Sequence, residues 1–314
     1  MCTYFHTPVL VSEVVQNMNL QPKGVYLDCT LGGAGHSIAM LEKDPSISLY
    51  CFDRDESAIR HSQKRLIPYK KQVCFIHDNF SNIMTRLALR KIGSVDGILM
   101  DLGVSSHQIS DSNRGFSFTH DELLDMRMDT SDSSEKNNAY YIINNYKLEE
   151  LQNIFYLYGE ERYSKRIASN IINKRNIKEI RTTKELADII EQSVPDKSKI
   201  SLTKSKARIF QAIRITVNNE LKILPSSLFD AISILKPGRR LLVISWHSLE
   251  DRITKDCFRY EATSCVCPID LPVCACKHRK RVNLITKKPI TPSENEVNQN
   301  PNSRSAKLRI VEKI

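Results

Sequence analysis

Short apolar runs alternate with segments of helical spacing along the first hundred residues. The four runs are GVYLDCT (24–30), ISLYCFDRD (47–55), QVCFIHDNF (72–80) and SVDGILMDLGVSS (94–106). Runs of this length are typical of buried strands, and strands that alternate with helices predict a parallel sheet with right-handed crossovers. This part of the chain is therefore predicted to form an α/β fold.

The pattern changes after Ser106, where a polar stretch leads into several helices. One helix is predicted to begin at a capping box from Thr182 to Glu185 and to stop before Pro195. A second is predicted over about 204–224. Its apolar stripe consists of Ile209, Phe210, Ile213, Val217 and Leu221. Helices in succession predict an inserted helical subdomain.

Alternation resumes after this helical region. Pro225 is predicted to begin a helix that Pro237 and Gly238 end, and the strand RRLLVISWHS (239–248) is predicted to follow. The chain therefore re-enters its sheet here.

The C-terminal region contains two further extended segments, RVNLITKKPI (281–290) and SAKLRIVEKI (305–314). They are predicted either to pair as an antiparallel hairpin or to add to the edge of the sheet. The stretch between them, from about Pro289 to Arg304, is low in apolar residues and is predicted to be a loop.

The chain has 314 residues, of which 41% are hydrophobic and 26% charged, as is typical of a folded globular protein. This length fits one core with a smaller subdomain. We place the discontinuous core at residues 1–106 and 225–314 and the helical insertion at 107–224. No apolar run approaches the roughly 18 residues that span a bilayer, and no signal-peptide pattern is present. We therefore expect a cytoplasmic protein with no membrane partner.

The formal net charge of +10 favours a polyanionic partner, most commonly nucleic acid, although lysine enrichment across a whole lineage would give the same charge. On the long helix, Arg208, Gln211, Arg214 and Asn218 fall roughly opposite the apolar stripe, where they can hold phosphates. A solvated basic face is the alternative. We expect the insertion to recognise RNA, with Arg208 and Arg214 as contacts.

A glycine-rich turn, Gly32-Gly33-Ala34-Gly35-His36, joins the first predicted strand to a helix. Such a turn lets the backbone approach a ligand, and the helix N-terminus favours an anionic group. A dinucleotide and S-adenosylmethionine both suit it, as does a turn without a ligand. The dinucleotide fingerprint needs a third glycine where this chain has Ile38, which weakens an oxidoreductase interpretation.

Acidic residues end the first two predicted strands. Asp53 follows Gly33 by twenty residues, where a carboxylate can accept both hydroxyls of a ribose. Asp28 can orient the glycine-rich loop or the amino-acid part of a cofactor. The turn and Asp53 together predict a cofactor that contains adenosine.

Polar residues and one aromatic ring follow the third predicted strand. In Asp78-Asn79-Phe80, a polar group can meet the edge of an adenine while Phe80 stacks on its face. Core packing of Phe80 is the alternative.

Asp101 ends the fourth predicted strand, at the edge where open α/β sheets place their ligands. The amino group of cytosine or adenine is a weak nucleophile, and an acceptor such as Asp101 can polarise and position it. Capping the next turn or holding a cofactor are alternative roles for Asp101. His247, just after the fifth strand, is either a substrate contact or a structural donor.

Four of the nine cysteines form Cys265-x-Cys267 and Cys274-x-Cys276, shortly before His278. Four thiolates can make a tetrahedral zinc site, but a one-residue gap is shorter than the usual two to four residues. The spacing therefore favours unligated loop cysteines, zinc stays open, and we assign no metal.

Nine segments, taken in order, give the chain a close resemblance to a known family. They are HTPVL (6–10), GGAGHS (32–37), FDRD (52–55), DLGVSS (101–106), RGFSF (114–118), LDMRMD (124–129), YGEER (158–162), HSLEDR (247–252) and RSAKLR (304–309). With these segments the chain resembles, over nearly its whole length, the bacterial RsmH (MraW) family of 16S rRNA cytosine-N4 methyltransferases.

The resemblance implies a class I methyltransferase fold, Rossmann-like with a mostly parallel sheet, that uses S-adenosylmethionine. Its substrate would be a cytidine at the decoding centre of 16S rRNA, within the small ribosomal subunit. Matching motifs place Ala34, Gly35 and His36 on the cofactor, Asp53 at the ribose and Phe80 at the adenine. Asp101 and Gln108 would lie at the methionine end. The chain lacks the Asp/Asn-Pro-Pro-aromatic motif of many amino-methyltransferases, so Asp101 as the catalytic acceptor is a hypothesis.

Two other functions fit part of the pattern, namely an NAD-type oxidoreductase and a noncatalytic RNA-binding protein with a vestigial cofactor fold. Stabilisation against heat by S-adenosylhomocysteine, by NAD or by RNA alone would separate the three. Neither the use of free RNA rather than an assembled subunit nor the oligomeric state follows from the sequence, and a homodimer stays open.

Overall fold

The structure is a computed structural model. It describes residues 8–105, 108, 114–129, 131, 134, 136–195, 198–268 and 274–314. The chain divides into two compact units: Met1–Gly103 with Leu221–Ile314, and Val104–Glu220. The sequence placed these two boundaries a few residues later, after 106 and after 224.

The first unit is built on a seven-stranded sheet. The strands are β1 (Val25–Asp28), β2 (Ser48–Asp53), β3 (Val73–His77), β4 (Val95–Asp101), β5 (Leu235–Ser245), β6 (Val282–Leu284) and β7 (Lys307–Lys313). Their order is β3-β2-β1-β4-β5-β7-β6. Strands β1 to β5 pair in parallel, whereas β7 runs antiparallel to β5 and β6. The predicted mostly parallel, Rossmann-like sheet is confirmed. Strands β2 and β3 lie on one side of β1, whereas β4 and the later strands lie on its other side. Sheets of this kind bind ligands at the point between β1 and β4 where the strand order reverses.

Helices flank the sheet and make up most of the second unit. They are α1 (Val11–Met18), α2 (Gly35–Lys43), α3 (Glu56–Arg65), α4 (Ile83–Ala88), α5 (Ala139–Asn145), α6 (Leu148–Leu157), α7 (Ser164–Arg175), α8 (Thr183–Ser193), α9 (Lys199–Asn218), α10 (Glu220–Ile234), α11 (Ser248–Ala262) and α12 (Glu294–Gln299). Single 3₁₀ turns lie at Ile67–Tyr69, Phe80–Asn82 and Pro301–Ser305.

Both faces of the central sheet are buried. On β4, Ile98 and Met100 join one apolar cluster and Leu99 joins another, because successive side chains of a strand point to opposite faces. The first cluster includes residues of α4, α10 and α11, and the second includes residues of α1 and α2. This two-sided burial explains why the strands appear in the sequence as nearly continuous apolar runs.

The second unit has an apolar core of its own, to which α5 to α9 contribute. The predicted capping box is confirmed: the Thr182 hydroxyl accepts a hydrogen bond from the Glu185 N–H at 3.3 Å, and the Glu185 carboxylate accepts one from the Thr182 N–H at 3.2 Å. Helix α8 ends before Pro195, as the sequence predicted.

The boundaries predicted for the next two helices were wrong. Helix α9 ends at Asn218 because Asn219 adopts a left-handed conformation, with φ 53°, that stops the helix. Helix α10 begins at once at Glu220 and contains Pro225 in its interior, so this proline does not begin it. Leu221 therefore belongs to α10 and not to the apolar stripe of α9.

The start of β5 also differs from the prediction. Leu235 pairs with Val95 and Arg240 pairs with Gly97, so the segment between Leu235 and Arg240 contains extra residues and bulges from the strand. This bulge holds Pro237 and Gly238, which interrupt the pairing without ending the strand.

The C-terminal segments pair as an antiparallel hairpin and extend the edge of the sheet, which unites the two predicted arrangements. The prediction of a loop between them was partly wrong, because this stretch contains α12. The Ser293 hydroxyl accepts a hydrogen bond from the Glu296 N–H at 3.2 Å and caps this helix.

Candidate functional site

Three aspartates end neighbouring strands at one edge of the sheet. Asp28 ends β1, Asp53 ends β2 and Asp101 ends β4. In the sheet register Asp28 pairs with Cys51 and with Leu99, so the three strands finish within a few residues of one another. Parallel strands that end together place their last side chains around one crevice, the usual ligand site of this architecture.

The glycine-rich turn between β1 and α2 has two residues in left-handed conformation, Gly32 with φ 48° and Ala34 with φ 63°. The Ser62 hydroxyl donates to the Gly32 carbonyl at 2.8 Å, and the Arg65 guanidinium donates to the Gly33 carbonyl. Side chains of α3 therefore hold the carbonyl side of the turn, while α2 begins at Gly35 and directs its first backbone amides toward the sheet edge.

Gly35 sits where no larger residue fits. A Cβ atom built on it would lie 2.5 Å from Cγ of Pro8 and 2.8 Å from its Cβ. The proline ring cannot fold away as a flexible side chain would. The close approach of the chain before α1 to the start of α2 therefore requires glycine at this position.

Asp53 braces the turn as well as ending β2. Its carboxylate accepts hydrogen bonds from the Gly32 N–H at 2.8 Å and from the Asp55 N–H at 2.9 Å. Burial raises the pKa of Asp53 to about 6, and these two backbone hydrogen bonds oppose the rise. Because each carboxylate oxygen has two acceptor positions, Asp53 can still accept bonds from a ligand.

Asp28 fixes the glycine-rich loop through hydrogen bonds at both of its ends. It is almost fully buried, and its carboxylate accepts a 2.6 Å hydrogen bond from the Ser37 hydroxyl and a 3.2 Å bond from the Thr30 N–H. Burial raises the pKa of this carboxyl, and the bond from Ser37 partly offsets the effect. Of the two roles that the sequence suggested for Asp28, the structure shows the orientation of the loop.

Asp101 is the centre of a small polar cluster. Its carboxylate accepts a hydrogen bond from Nε1 of Trp246 at 3.0 Å and lies 3.8 Å from Nδ1 of His36. Its backbone N–H donates to the Thr30 hydroxyl at 2.6 Å. Burial raises the pKa of Asp101 to about 6, while His36 and Trp246 act to lower it and Asp28 raises it further.

The position of His36 suggests how its ring is protonated. Nε2 lies 2.9 Å from the carbonyl oxygen of Val9. A carbonyl can only accept, so Nε2 carries a proton, and Nδ1 is the ring nitrogen that faces Asp101. His36 and Asp101 thus form a pair that can hold one additional proton.

Asp78 and Phe80, which follow β3, have different roles. The Asp78 carboxylate accepts hydrogen bonds from Asn79 and Asn82, each at 2.7 Å, and from Arg86. Burial raises the pKa of Asp78, but these bonds bring it below its usual value, so Asp78 is a structural residue here. Phe80 packs half-buried against the first apolar cluster, and its exposed part stays available to a ligand.

Trp246 and Thr30 both contact Asp101, and neither was predicted from the sequence to be a site residue. The signal for Trp246 was its place directly after β5, one strand away from Asp101 in the sheet, although no local pattern joins residues so far apart in sequence. Glu250 was also missed. It is almost fully buried, and its carboxylate accepts a 2.9 Å bond from the Trp246 N–H.

A cavity of about 330 Å³ lies within the first unit beyond the end of β5. Its lining residues are Trp246, His247, Ser248, Thr291, Arg304, Ser305, Ala306 and Lys307. His247 caps α11, since its Nδ1 accepts from the Glu250 N–H at 3.5 Å. His247 therefore has a structural role, but as a hydrogen-bond acceptor and not as the structural donor that the sequence suggested, while its ring also lines the cavity.

Two of the segments that carried the resemblance meet beside this cavity. Asp251 of HSLEDR accepts a 2.6 Å hydrogen bond from Arg309 of RSAKLR and lies 3.3 Å from Nζ of Lys307. Burial alone would raise the pKa of Asp251, but Arg309 and Lys307 bring it below its usual value. This ion pair fixes the start of β7 against α11.

In the second unit, Gln108 is buried and its side-chain oxygen accepts a 3.0 Å hydrogen bond from the Ser105 N–H. Its role at the methionine end of a cofactor stays a prediction. Ser106 of DLGVSS, and His6 and Thr7 of HTPVL, lie outside the described residues.

The face of α9 proposed for phosphates is only partly exposed. Asn218 is buried and its amide donates to the Met126 carbonyl at 2.7 Å, so the expectation that it faces RNA was wrong. The Arg214 guanidinium makes two 2.9 Å bonds to the Glu220 carboxylate. The side chain of Arg208 is 45% exposed and lies 3.6 Å from the buried Glu161 carboxylate. Of the two arginines, Arg208 is the better placed for a phosphate.

The four clustered cysteines lie in the segment between α11 and β6. Their Sγ atoms all lie within 4.8 Å of one another. This convergence did not follow from the sequence spacing, which favoured unligated cysteines.

The comparisons with known proteins agree with one another. A model of the MraW methylase family matches residues 3–314. The chain is 46% identical over 312 residues to the ribosomal RNA small subunit methyltransferase H of Clostridioides difficile, with 99% of each chain covered. It is 47% identical over 312 residues to the protein of the same name from a Geobacter species, again with 99% of each covered.

The chain is also similar to a solved rRNA methylase from Streptococcus thermophilus, with a TM-score of 0.42, 11% identity and 99% of each chain covered. At this TM-score and identity, the similarity does not assign a function to any residue of this chain. Within the described part of the chain, no helix has the length and apolar character that a membrane span requires.

Proposed function

This chain belongs to the MraW methylase family, and on that premise we propose that it transfers a methyl group from S-adenosylmethionine to N4 of a cytidine in the decoding centre of 16S rRNA. The observation that carries the proposal is the match over residues 3–314, together with 46% identity to a ribosomal RNA small subunit methyltransferase H. The polar cluster around Asp101 supports it, because it supplies an acceptor at the ligand edge of the sheet.

The side chains at the strand ends fit S-adenosylmethionine by their chemistry. The Asp53 carboxylate retains acceptor positions for the ribose hydroxyls, and the half-buried ring of Phe80 offers a face to the adenine. The first amides of α2, at Gly35 and His36, suit the carboxylate of the methionine moiety. The Asp101 carboxylate favours a positive sulfonium nearby.

When bound, the cofactor would supply an electrophilic methyl group on a sulfonium. The acceptor N4 is a weak nucleophile, because its lone pair is delocalised into the cytosine ring. A hydrogen bond from the N4 amino group to the Asp101 carboxylate would orient that lone pair toward the methyl group. At neutral pH a group with a pKa of about 6 is mostly ionised, so Asp101 is in the accepting form.

The reaction leaves one proton to be removed. Methyl transfer would form the N4–C bond as the S–C bond breaks, and the positively charged N4 would then have to lose a proton. The pair formed by Asp101 and Nδ1 of His36, 3.8 Å apart, can take that proton at either partner. Trp246 holds the Asp101 carboxylate in position throughout, through its 3.0 Å hydrogen bond.

For RNA recognition we propose the second unit, residues 104–220, with Arg208 as a phosphate contact. The net charge of +10 favours a polyanionic substrate. Arg214 would serve the same purpose only after its two bonds to Glu220 were broken. A decoding-centre target further favours a nearly mature small subunit over free RNA as the substrate.

Thermal unfolding with added ligands tests the cofactor assignment. S-adenosylhomocysteine at 100 times its Kd should stabilise the chain by about 2.7 kcal/mol, whereas the same concentration of NAD should leave the melting temperature unchanged. Stabilisation by NAD would favour an oxidoreductase. Stabilisation by RNA alone would favour a noncatalytic RNA-binding protein.

A further inference from the structure

The described part of the segment between α11 and β6 makes few packing interactions. Among its described residues, 263–268 and 274–281, none is buried, and Val266 leaves 41% of its surface exposed. A segment without apolar burial gains little free energy from becoming ordered. Its ends are nevertheless fixed, since the Arg281 N–H donates to the Glu261 carbonyl at 2.8 Å. The described residues of this segment must therefore be ordered by something other than a hydrophobic core.

Four thiols converge in this segment. Sγ of Cys274 lies 3.5 Å from Sγ of both Cys265 and Cys276, and the latter two are 3.9 Å apart. With Cys267 included, all four sulfur atoms lie within 4.8 Å of one another. A disulfide would bring two sulfurs to about 2.05 Å, so these distances correspond to no sulfur–sulfur bond.

The same distances match a tetrahedral ion site. With Zn–S bonds of about 2.3 Å, the sulfurs of a regular tetrahedron lie about 3.8 Å apart. The distances of 3.5 Å and 3.9 Å among Cys265, Cys274 and Cys276 straddle this value. In an iron–sulfur cluster the cysteines divide among several iron atoms, which spreads the thiolates more widely than a single shared ion does.

Backbone amides point at the sulfur atoms. The Ala275 N–H donates to Sγ of Cys267 at 3.3 Å, and the N–H groups of Val266 and His278 each donate to Sγ of Cys276 at 3.5 Å. Amide donors of this kind stabilise the negative charge of a thiolate and orient it as a ligand. Each Cys-x-Cys pair thus receives at least one amide, including amides at the intervening residues Val266 and Ala275.

His278 is held away from the sulfur cluster. Its Nε2 lies 2.9 Å from the Tyr260 carbonyl, and its ring packs against the Tyr260 ring with centroids 4.5 Å apart. The set of ligands is therefore four cysteines without histidine, which selects soft, thiophilic ions over magnesium or calcium.

We propose that Cys265, Cys267, Cys274 and Cys276 bind one zinc ion that holds residues 263–268 and 274–281 together. Four protein ligands fill a tetrahedral site and leave no position for water or substrate, so the ion is structural and not catalytic. A tetrathiolate zinc site carries two negative charges, and exposed Lys277, Arg279 and Lys280 follow its last ligand. The ion would fix these basic residues relative to β6, which joins the edge of the sheet.

The metal content of the full chain tests this proposal directly. Protein purified under reducing conditions without chelators should contain about one zinc per chain by plasma mass spectrometry. The single variants Cys265→Ser and Cys276→Ser should retain less than about a tenth of that zinc. The matched control Cys74→Ser removes a thiol from β3, outside the cluster, and should keep the full amount.

Substitution of zinc by cobalt provides a second, spectroscopic test of the site. Dialysis of the metal-free chain against Co²⁺ should give visible d–d bands of a tetrahedral ion with thiolate charge-transfer absorption, and zinc should bleach them. Zinc loading should also slow limited proteolysis between α11 and β6. Metal-free protein with four thiols open to alkylation, a disulfide in this segment under reducing conditions, or stoichiometric iron would each overturn the proposal. None of these readouts depends on methyl transfer.

Discussion

Trp246 donates its indole N–H to the Asp101 carboxylate across 3.0 Å, linking the residue that follows β5 to the last residue of β4. This is the one tryptophan of the chain. An indole nitrogen is a donor only, so the bond favours the ionised carboxylate and fixes its orientation. The geometry makes Trp246 a positioning residue for Asp101.

We predict that Trp246→Phe raises the pH that is needed for activity. Loss of the donor removes a contact that lowers the pKa of Asp101, so the midpoint of the acidic limb should move above its wild-type value near pH 6. The rate should fall about tenfold at pH 7 and by less at pH 8.5. A uniform loss across the pH profile, with an unchanged midpoint, would assign Trp246 to packing alone. The measurement is kcat against pH.

We predict that Asp101 makes the folded state less stable as pH rises from 4 to 7. Burial raises its pKa from 3.8 to about 6, so between these values the unfolded chain has lost a proton that the folded chain keeps. The free energy of unfolding therefore falls with rising pH, by at most about 3 kcal/mol for this group. Asp101→Asn should remove that part of the slope.

Urea unfolding of both chains at pH 4, 5, 6 and 7 checks this pH effect. The difference in unfolding free energy, Asp101→Asn minus wild type, should grow with pH and level off above pH 6. Parallel curves for the two chains would show that Asp101 ionises in the folded protein as it does in a free peptide. Asp53→Asn should behave similarly, since burial also raises the pKa of Asp53 to about 6.

We predict that Gly35→Ala disrupts the glycine-rich turn, whereas Gly93→Ala does not. The new methyl group at position 35 would lie 2.5 Å from Pro8, but a methyl group at position 93 meets nothing within 4 Å. Gly35→Ala should lower stability by about 1–3 kcal/mol and weaken cofactor binding at least tenfold. Isothermal titration with S-adenosylhomocysteine and thermal unfolding measure the two effects. Equal behaviour of both variants would exclude the proposed tight contact.

The sheet and its polar edge could be predicted because their signals are local. A buried strand appears as an apolar run, and the aspartates at 28, 53 and 101 directly follow such runs. The capping box at Thr182 was equally local. Ser293 followed three residues later by Glu296 was a signal of the same kind for α12, although the polar composition around it suggested a loop.

Other features depend on contacts between distant residues. Trp246 and Asp101 are 145 positions apart, and only the order of β4 and β5 in the sheet brings them together. Asn219 ends α9 through a left-handed conformation that several residue types adopt. The convergence of the four cysteines depends on how their loop folds back, which the spacing of Cys-x-Cys pairs alone does not determine.

We predict that Arg208→Gln weakens binding to small ribosomal subunits about tenfold and reduces the salt dependence by about one phosphate contact. The matched control is Arg259→Gln, which removes the same charge from an exposed position on α11. Filter binding over a range of salt concentrations gives both quantities. Because Arg208 also lies 3.6 Å from the buried Glu161 carboxylate, thermal unfolding of each variant must accompany the titration. An equal loss with both variants would show that net charge alone drives binding.

Methyl transfer to small ribosomal subunits that lack the modification tests the proposed reaction. Wild type, Asp101→Asn and the exposed control Asp188→Asn would each receive labelled S-adenosylmethionine, and digestion of the RNA would identify the product. We expect N4-methylcytidine at full rate for wild type and Asp188→Asn, with a loss of about 10²–10⁴ for Asp101→Asn at saturating cofactor. Label at another base, or no label in RNA from folded wild-type protein, would contradict the proposed reaction. An undiminished rate in Asp101→Asn would contradict the role of Asp101.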